Sequence, residues 1–319
     1  KNLFLKLYSL WIVLLGMICF ASCNDDEQDG ESQNLPSLPS LGITEPVTAI
    51  DYGRGVSTFD YADGRLVGGN DYGVQGGVDF IISYSPLSIK GYYEEVESDY
   101  SYVYELIYSN IRTNSMGCIT SVDITYRETE SDGIRTYIAQ DIDRLTAQYN
   151  EGGYLTRMDI QTSSEEDGAL LYRSSAVFTQ EWSDGNLARQ HWYSEEYEGD
   201  SNVLLGTPID RWITYYYADD APKNNGIYLD NMIYDSDLVT YAGFWGKTTQ
   251  RIPTSSESLY NNNPQSTITY SVDLDDKGRI VALSINGVEN MRYGYVDCPL
   301  TKVLPLLYPN SIIGKKRNT

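Results

Sequence analysis

Histidine is almost missing: the 319 residues contain one, His191. A multi-histidine metal centre is therefore excluded, and at most one Ser-His-Asp or Cys-His arrangement stays open. No Gly-x-Ser-x-Gly elbow accompanies His191, which stands beside Trp192 in a strand-like run from Leu187 to Tyr193. A structural histidine is the expectation. Basic residues are also short, 23 against 45 acidic, for a net charge of −22. Nucleic acid and anionic lipid surfaces both reward a basic patch, so neither is an expected partner. The one basic cluster, Lys315-Lys316-Arg317, belongs to a C-terminal tail over 311–319. No Gly-rich phosphate loop ending in Lys-Ser or Lys-Thr occurs. Asp273 to Gly278 superficially suggests a calcium loop, but its fifth place is Lys277 and its twelfth Ser284, where oxygen ligands are needed. Asp230, Asp235 and Asp237 make a looser acidic group, at most an adventitious calcium site. No metal and no cofactor is implied.

Cysteine is scarce too, at positions 19, 23, 118 and 298. Cys23 carries the clearest signal. Lys1 and Lys6 precede an apolar run, Leu7 to Phe20, shorter than the roughly 20 residues of a membrane span. The run ends in Phe20-Ala21-Ser22-Cys23, which resembles the lipobox of bacterial lipoproteins, with small residues before the cysteine. Residues 1–22 are then a lipoprotein signal peptide, and lipid on Cys23 attaches the protein to a membrane. Residues 23–45 follow as a tether whose acidic start, Asn24 to Glu31, holds too little apolar surface to offset the entropy of ordering. Such an acidic run resembles the Bacteroidetes signal for export to the cell exterior. An outer-membrane, surface-exposed location is expected. Cys118 and Cys298 are left to pair or stay free, since sequence separation does not fix their distance.

No long segment beyond the tether carries helical periodicity. What is present instead is strand alternation. Ile268, Tyr270, Val272 and Leu274 alternate with polar residues, Asp275 to Gly278 turn the chain, and Val281, Leu283 and Ile285 resume. A second hairpin spans Ala176 to Tyr193 around Asp184-Gly185, and Val122, Ile124 and Tyr126 mark another strand. The turns repeat: Gly64, Gly117, Gly153, Gly185 and Gly278 each stand two residues before Leu or Ile. Their spacings are 53, 36, 32 and 93, the last close to three units of about 31. The expectation is an all-β domain over 46–310, a long antiparallel meander that must curl, split or close to cover its edges.

These turn units resemble, in degenerate form, the tyrosine-aspartate repeats of bacterial Rhs-type surface proteins. The stretch Tyr215 to Asn224, with Gly243-Phe244-Trp245-Gly246-Lys247 and Ile252-Pro253-Thr254-Ser255, is similar to a Bacteroidetes lipoprotein family. That family is known as a domain of unknown function with a porin-like fold. The resemblance implies a curved sheet, barrel-like or a half-open barrel, and brings no catalytic residues. Asp123, Arg127, Glu181, Arg189 and Asp273 recur through the strands, where a lipid-facing band would be apolar, so a water-soluble sheet is expected.

Tyrosine is abundant, 29 residues against 6 Phe. Tyr100, Tyr102, Tyr104 and Tyr108 fall on one face of a strand, and such rings suit a sheet wetted on one side. They also make a ladder on which sugar faces stack. Trp245, between Gly243 and Gly246, is the best candidate for an exposed loop ring; Trp182, Trp192 and Trp212 are further stacking candidates, though core positions suit most of them better. Tyr100, Tyr102, Tyr104 and Trp245 are thus the expected ligand contacts. The leading function is a non-enzymatic module binding a glycan or an envelope protein. The alternative is a surface polysaccharide hydrolase with a carboxylate pair, which 45 acidic residues permit without specifying.

Overall fold

Period-2 segments rich in Tyr, Ile, Val and Thr become strands throughout. In this computed structural model the described residues are 43, 45–74, 77–229 and 237–300. All belong to one compact unit, Asn34–Thr319. The expected signal peptide, Cys23, nearly all of the tether, the C-terminal tail, Asp230 and Asp235 lie outside them.

The first strands are β1 (Val47–Asp51), β2 (Val56–Ala62), β3 (Arg65–Asp71), β4 (Val78–Tyr84), β5 (Leu87–Val96) and β6 (Ser101–Thr113). Then come β7 (Ile119–Ser131), β8 (Thr136–Tyr149), β9 (Leu155–Glu166), β10 (Ala169–Ser183), β11 (Asn186–Glu198) and β12 (Ile209–Tyr216). After helix α1 (Asp237–Tyr241) follow β13 (Ser255–Tyr260), β14 (Asn263–Pro264), β15 (Ile268–Leu274), β16 (Ile280–Ile285) and β17 (Val288–Tyr295). Every pairing is antiparallel, and β1 pairs with both β2 and β17, so the sheet closes on itself. Apart from the two-residue β14, which pairs with β13, the ring has 16 strands. The half-open alternative is thereby corrected. Closure joins residues 47–51 to 292–295, a ladder that removes the sheet edges and that local periodicity does not reveal.

In the connection from β12 to β13, residues 217–229 and 237–254 turn into the barrel. Tyr241 meets Phe59 of β2 at 5.0 Å, and Phe244 stacks on Tyr84 of β4 at 6.0 Å between ring centres. The Tyr149 hydroxyl of β8 donates to the Phe244 carbonyl at 3.3 Å, and Asn225 donates to the Tyr295 hydroxyl of β17 at 2.7 Å. Contacts on strands all around the ring place this segment in the mouth of the barrel. Ile227, Leu238, Val239, Phe244 and Trp245 are fully buried there. They form the core with the inward residues of the same half, among them Phe80, Ile89, Leu106, Leu145, Met158 and Phe178.

The repeated glycine turns all lie at this plugged end. Their partners Leu66, Ile119, Leu155, Leu187 and Ile280 are each at most 1% exposed. Backbone bonds join turns and plug: Ile119 donates to the Phe244 carbonyl, Lys247 to that of Gly153, and Gln250 to that of Gly185. The spacing of 93 is therefore not three equal repeats. It is two hairpin units enlarged by the inserted plug. The spacing of 53 spans two units because the turn at Ser85-Pro86 contains no glycine.

Candidate ligand site in the open half of the barrel

Away from the plug, the inward positions turn polar, and strand register maps them as rows. One row runs Tyr126, Asp141, Ser164, Tyr172, Glu198 across β7 to β11. The next runs Ile124, Asp143, Thr162, Ser174, Glu196, and a third Leu145, Ile160, Ala176, Ser194, Ile209. A fourth, Met158, Phe178, Trp192, Arg211, Tyr260, borders the core. The gradient from apolar to hydroxyl to carboxylate follows the depth of the barrel.

A cavity of about 420 Å³ opens where these rows meet β11 to β13. Trp192, Tyr260, Thr162, Ser174, Ser194 and Glu196 line it, and Leu205 to Thr207 of the β11–β12 connection close one side. The Trp192 ring meets Phe178 edge-on at 6.1 Å, and its Nε1 donates to Ser194 Oγ at 3.2 Å, so packing and a hydrogen bond hold the indole. An aromatic plane surrounded by hydroxyls and a carboxylate suits a ligand with apolar C–H faces and equatorial hydroxyls.

One inward carboxylate is shifted by burial. Asp143 is 3% exposed and accepts a hydrogen bond from Thr162 Oγ1 at 2.6 Å. Its pKa is raised, chiefly by desolvation, with Asp141 adding and the Thr162 bond opposing. Burial also raises Tyr172, whose phenol faces Asp141, Glu196 and Asp143.

The tyrosine ladder lies on β6, elsewhere on the ring. Tyr100 falls outside the strand, in the turn after β5, which corrects its place in the ladder. Tyr102 and Tyr104 point inward, opposite Glu130 and Glu128 of β7. The Tyr102 phenol is pushed up to about 12 by burial and then by Glu128. Its ring stands 6.1 Å from that of Tyr93. Tyr104, 4% exposed, is raised by burial and the same carboxylate.

Trp245 contradicts the expectation of an exposed ring. It is fully buried in the plug, where Gly246 lets the chain pass close to the Gly153 carbonyl. Trp182 donates Nε1 to the Leu155 carbonyl at 2.6 Å at the plugged end. On the outer wall Trp212 lies between the Arg189 guanidinium, 4.1 Å from its centre, and the His191 ring at 3.8 Å. His191 also bonds Asp210 at 2.8 Å. From sequence, Trp192 is only a secondary stacking candidate and Tyr260 is not singled out; the inward alternation Trp192, Ser194, Glu196 is the signal that marks Trp192. Among the described residues no cluster of His, Cys, Asp and Glu is arranged to hold a metal ion.

Neither a protein-family model nor a curated protein matches the chain. Among solved structures it is similar to a porin-like protein from Bacteroides vulgatus, with 14% identity and a TM-score of 0.48, covering 78% of this chain and 98% of the other. A porin-like protein from Bacteroides uniformis is also similar, with 14% identity and a TM-score of 0.26 over 65% of this chain and 95% of the other.

Proposed function

We propose that the protein is a non-enzymatic lipoprotein of the cell envelope, anchored through Cys23 and surface-exposed, whose water-soluble barrel binds a glycan in its open half. The observation that carries this reading is the cavity beside Trp192, where an indole plane, hydroxyls and Glu196 converge. The partly exposed Tyr102 ring adds an aromatic surface elsewhere on the inner wall, with Tyr104 buried beneath it. Inward strand carboxylates, Glu128, Asp141, Asp143 and Glu196, outweigh the inward Arg211, so a neutral or amino-bearing sugar fits this half better than an acidic one.

Two features favour a soluble cup over a conduit. Outward positions carry charge along the strands, including Arg127, Arg157, Glu181, Arg189 and Asp273, and a lipid-facing band excludes such residues. The plug fills the other mouth with fully buried side chains.

The test is a thermal-shift screen of the full chain against soluble neutral polysaccharides, chitosan oligomers and mucin glycans. Ligand at a hundredfold its Kd stabilises by about 2.7 kcal/mol, a rise of several degrees in Tm. Trp192→Ala should abolish the shift. A panel without any shift would sink the glycan reading, and turnover of a polysaccharide, lost in Asp143→Asn, would establish the hydrolase instead.

A further inference from the structure

A second concavity, of about 560 Å³, lies against the outer wall of β8 to β10, under the start of the β11–β12 connection. Arg144, Gln161, Ser163, Arg173, Tyr197 and Asn202 line it. Register sets Arg144 opposite Gln161 and Arg173 opposite Ser163, all on the outward face. The two arginines stand on strands separated by two spacings, roughly 10 Å, so their long side chains reach toward a common ligand from either side of β9.

The two guanidiniums are prepared differently. Arg173 donates Nε to the Gly199 carbonyl at 2.9 Å and Nη2 to that of Ser201 at 2.8 Å. Its fork is thus held by the loop, and less side-chain entropy is lost when its remaining N–H groups bind. Arg144 is exposed and forms no ion pair with any described residue. Three of the neighbouring outward carboxylates are already engaged. Glu195 accepts from the Tyr193 and Tyr197 hydroxyls at 2.5 Å each, Asp159 pairs with Arg157, and Asp123 accepts from Asn110 at 2.6 Å. Glu165, two residues beyond Ser163, forms an acidic border.

We infer that this groove binds an acidic saccharide: Arg144 and Arg173 take its carboxylate or sulfate groups, and Gln161, Ser163 and Asn202 its ring hydroxyls. Planar guanidinium forks match both anions. A lone inorganic anion does not span the arginines, whereas an acidic di- or trisaccharide does. The net charge of −22 does not forbid this, because charges beyond about 8 Å are largely screened at physiological salt.

Calorimetric titration of the full chain tests the inference, with oligogalacturonate, a sulfated disaccharide, a neutral galactose oligomer and sodium sulfate as probes. One or both acidic sugars should bind, and which one identifies the anion. In the Trp192→Ala background, which removes the site inside the barrel, the neutral sugar should give no heat. Arg144→Gln should weaken binding at least tenfold with an unchanged melting curve, and Gln161→Glu should do the same by placing a like charge in the groove. Trp192→Ala should leave this binding intact, which separates it from the site inside the barrel. No heat with either acidic sugar overturns the inference, as does unchanged affinity in both groove variants. Sodium sulfate binding as tightly as the sugars would mean an adventitious anion only.

Discussion

The Tyr228 hydroxyl donates to the Gly246 carbonyl at 2.6 Å, tying together the two limbs of the segment that fills the barrel mouth. Tyr228 also meets Tyr241 edge-on at 5.3 Å. Tyr228→Phe keeps the ring and leaves a buried carbonyl unpaired, at a cost of about 1–3 kcal/mol. Trp245→Ala removes a fully buried indole and should cost about 3–5 kcal/mol. Urea unfolding checks both. If the plug were an accessory to an independently stable ring, neither variant would move the midpoint.

Two glycines with similar backbones should respond differently to alanine. Gly246 has φ +86, and a Cβ there would lie 2.5 Å from the Gly153 carbonyl oxygen. Gly278 has φ +77 with nothing within 4 Å of the added atom. Gly278→Ala therefore carries only left-handed strain, about 1–2 kcal/mol, whereas Gly246→Ala also displaces the backbone of a neighbouring turn. Thermal melts should rank Gly246→Ala well below Gly278→Ala, and equal melts would refute the close approach.

The same glycines show where sequence reading succeeded and where it stopped. Alternation located the hairpin of β15 and β16, the hairpin of β10 and β11, and the inward set Val122, Ile124 and Tyr126, because a strand's two faces are a local property. At β16 a bulge opposite Asp273 and Leu274 buries Ile280 and Leu283, so Val281 does not continue the expected face. The recurring Gly-x-Leu and Gly-x-Ile turns were legible as a repeat. Their common place against a plug was not, since that depends on residues 217–254 inserting between two strands. Trp245 was misread for the same reason: glycine neighbours look alike in an exposed loop and in a packed one. The site beside Trp192 was hidden because its lining comes from five strands and a connection, none of which carries a motif alone.

Asp143 should make stability depend on pH in a definite direction. Its folded-state pKa lies above the ordinary carboxylate value because burial disfavours the charge. The folded state then holds the proton more tightly than the unfolded chain, and stability falls as pH rises from about 3.9 through the raised value. Asp143→Asn retains a carbonyl oxygen for Thr162 and carries no charge. It should melt higher than the parent near pH 7, with the gap closing below about pH 4. A parent more stable than the variant at neutral pH would show that the ionised carboxylate is favourably held.

Arg279 works in the opposite sense, at the seam where the ring closes. Its guanidinium reaches Asp275 at 2.7 Å, Asp297 at 2.6 Å and Glu45 at 2.5 Å, and lies 4.5 Å from the Tyr295 ring centre. One side chain thus joins the approach to β1, the turn before β16 and the residues after β17. Lys277 also pairs with Asp297, and these two cations hold the Asp297 carboxyl down to about 2. A depressed pKa means stability present above the ordinary value of about 3.9 and lost as pH falls toward 2. Arg279→Gln should therefore lower Tm by several degrees at pH 7, through fraying of the β1–β17 ladder, and the deficit should shrink between pH 4 and 2. Amide exchange would place the loss at Val47 to Asp51 and Arg292 to Tyr295, ahead of β7 to β10. A deficit constant across the acid range would assign the role of Arg279 to its packing on Tyr295, because charge pairing is removed by acid and ring contact is not.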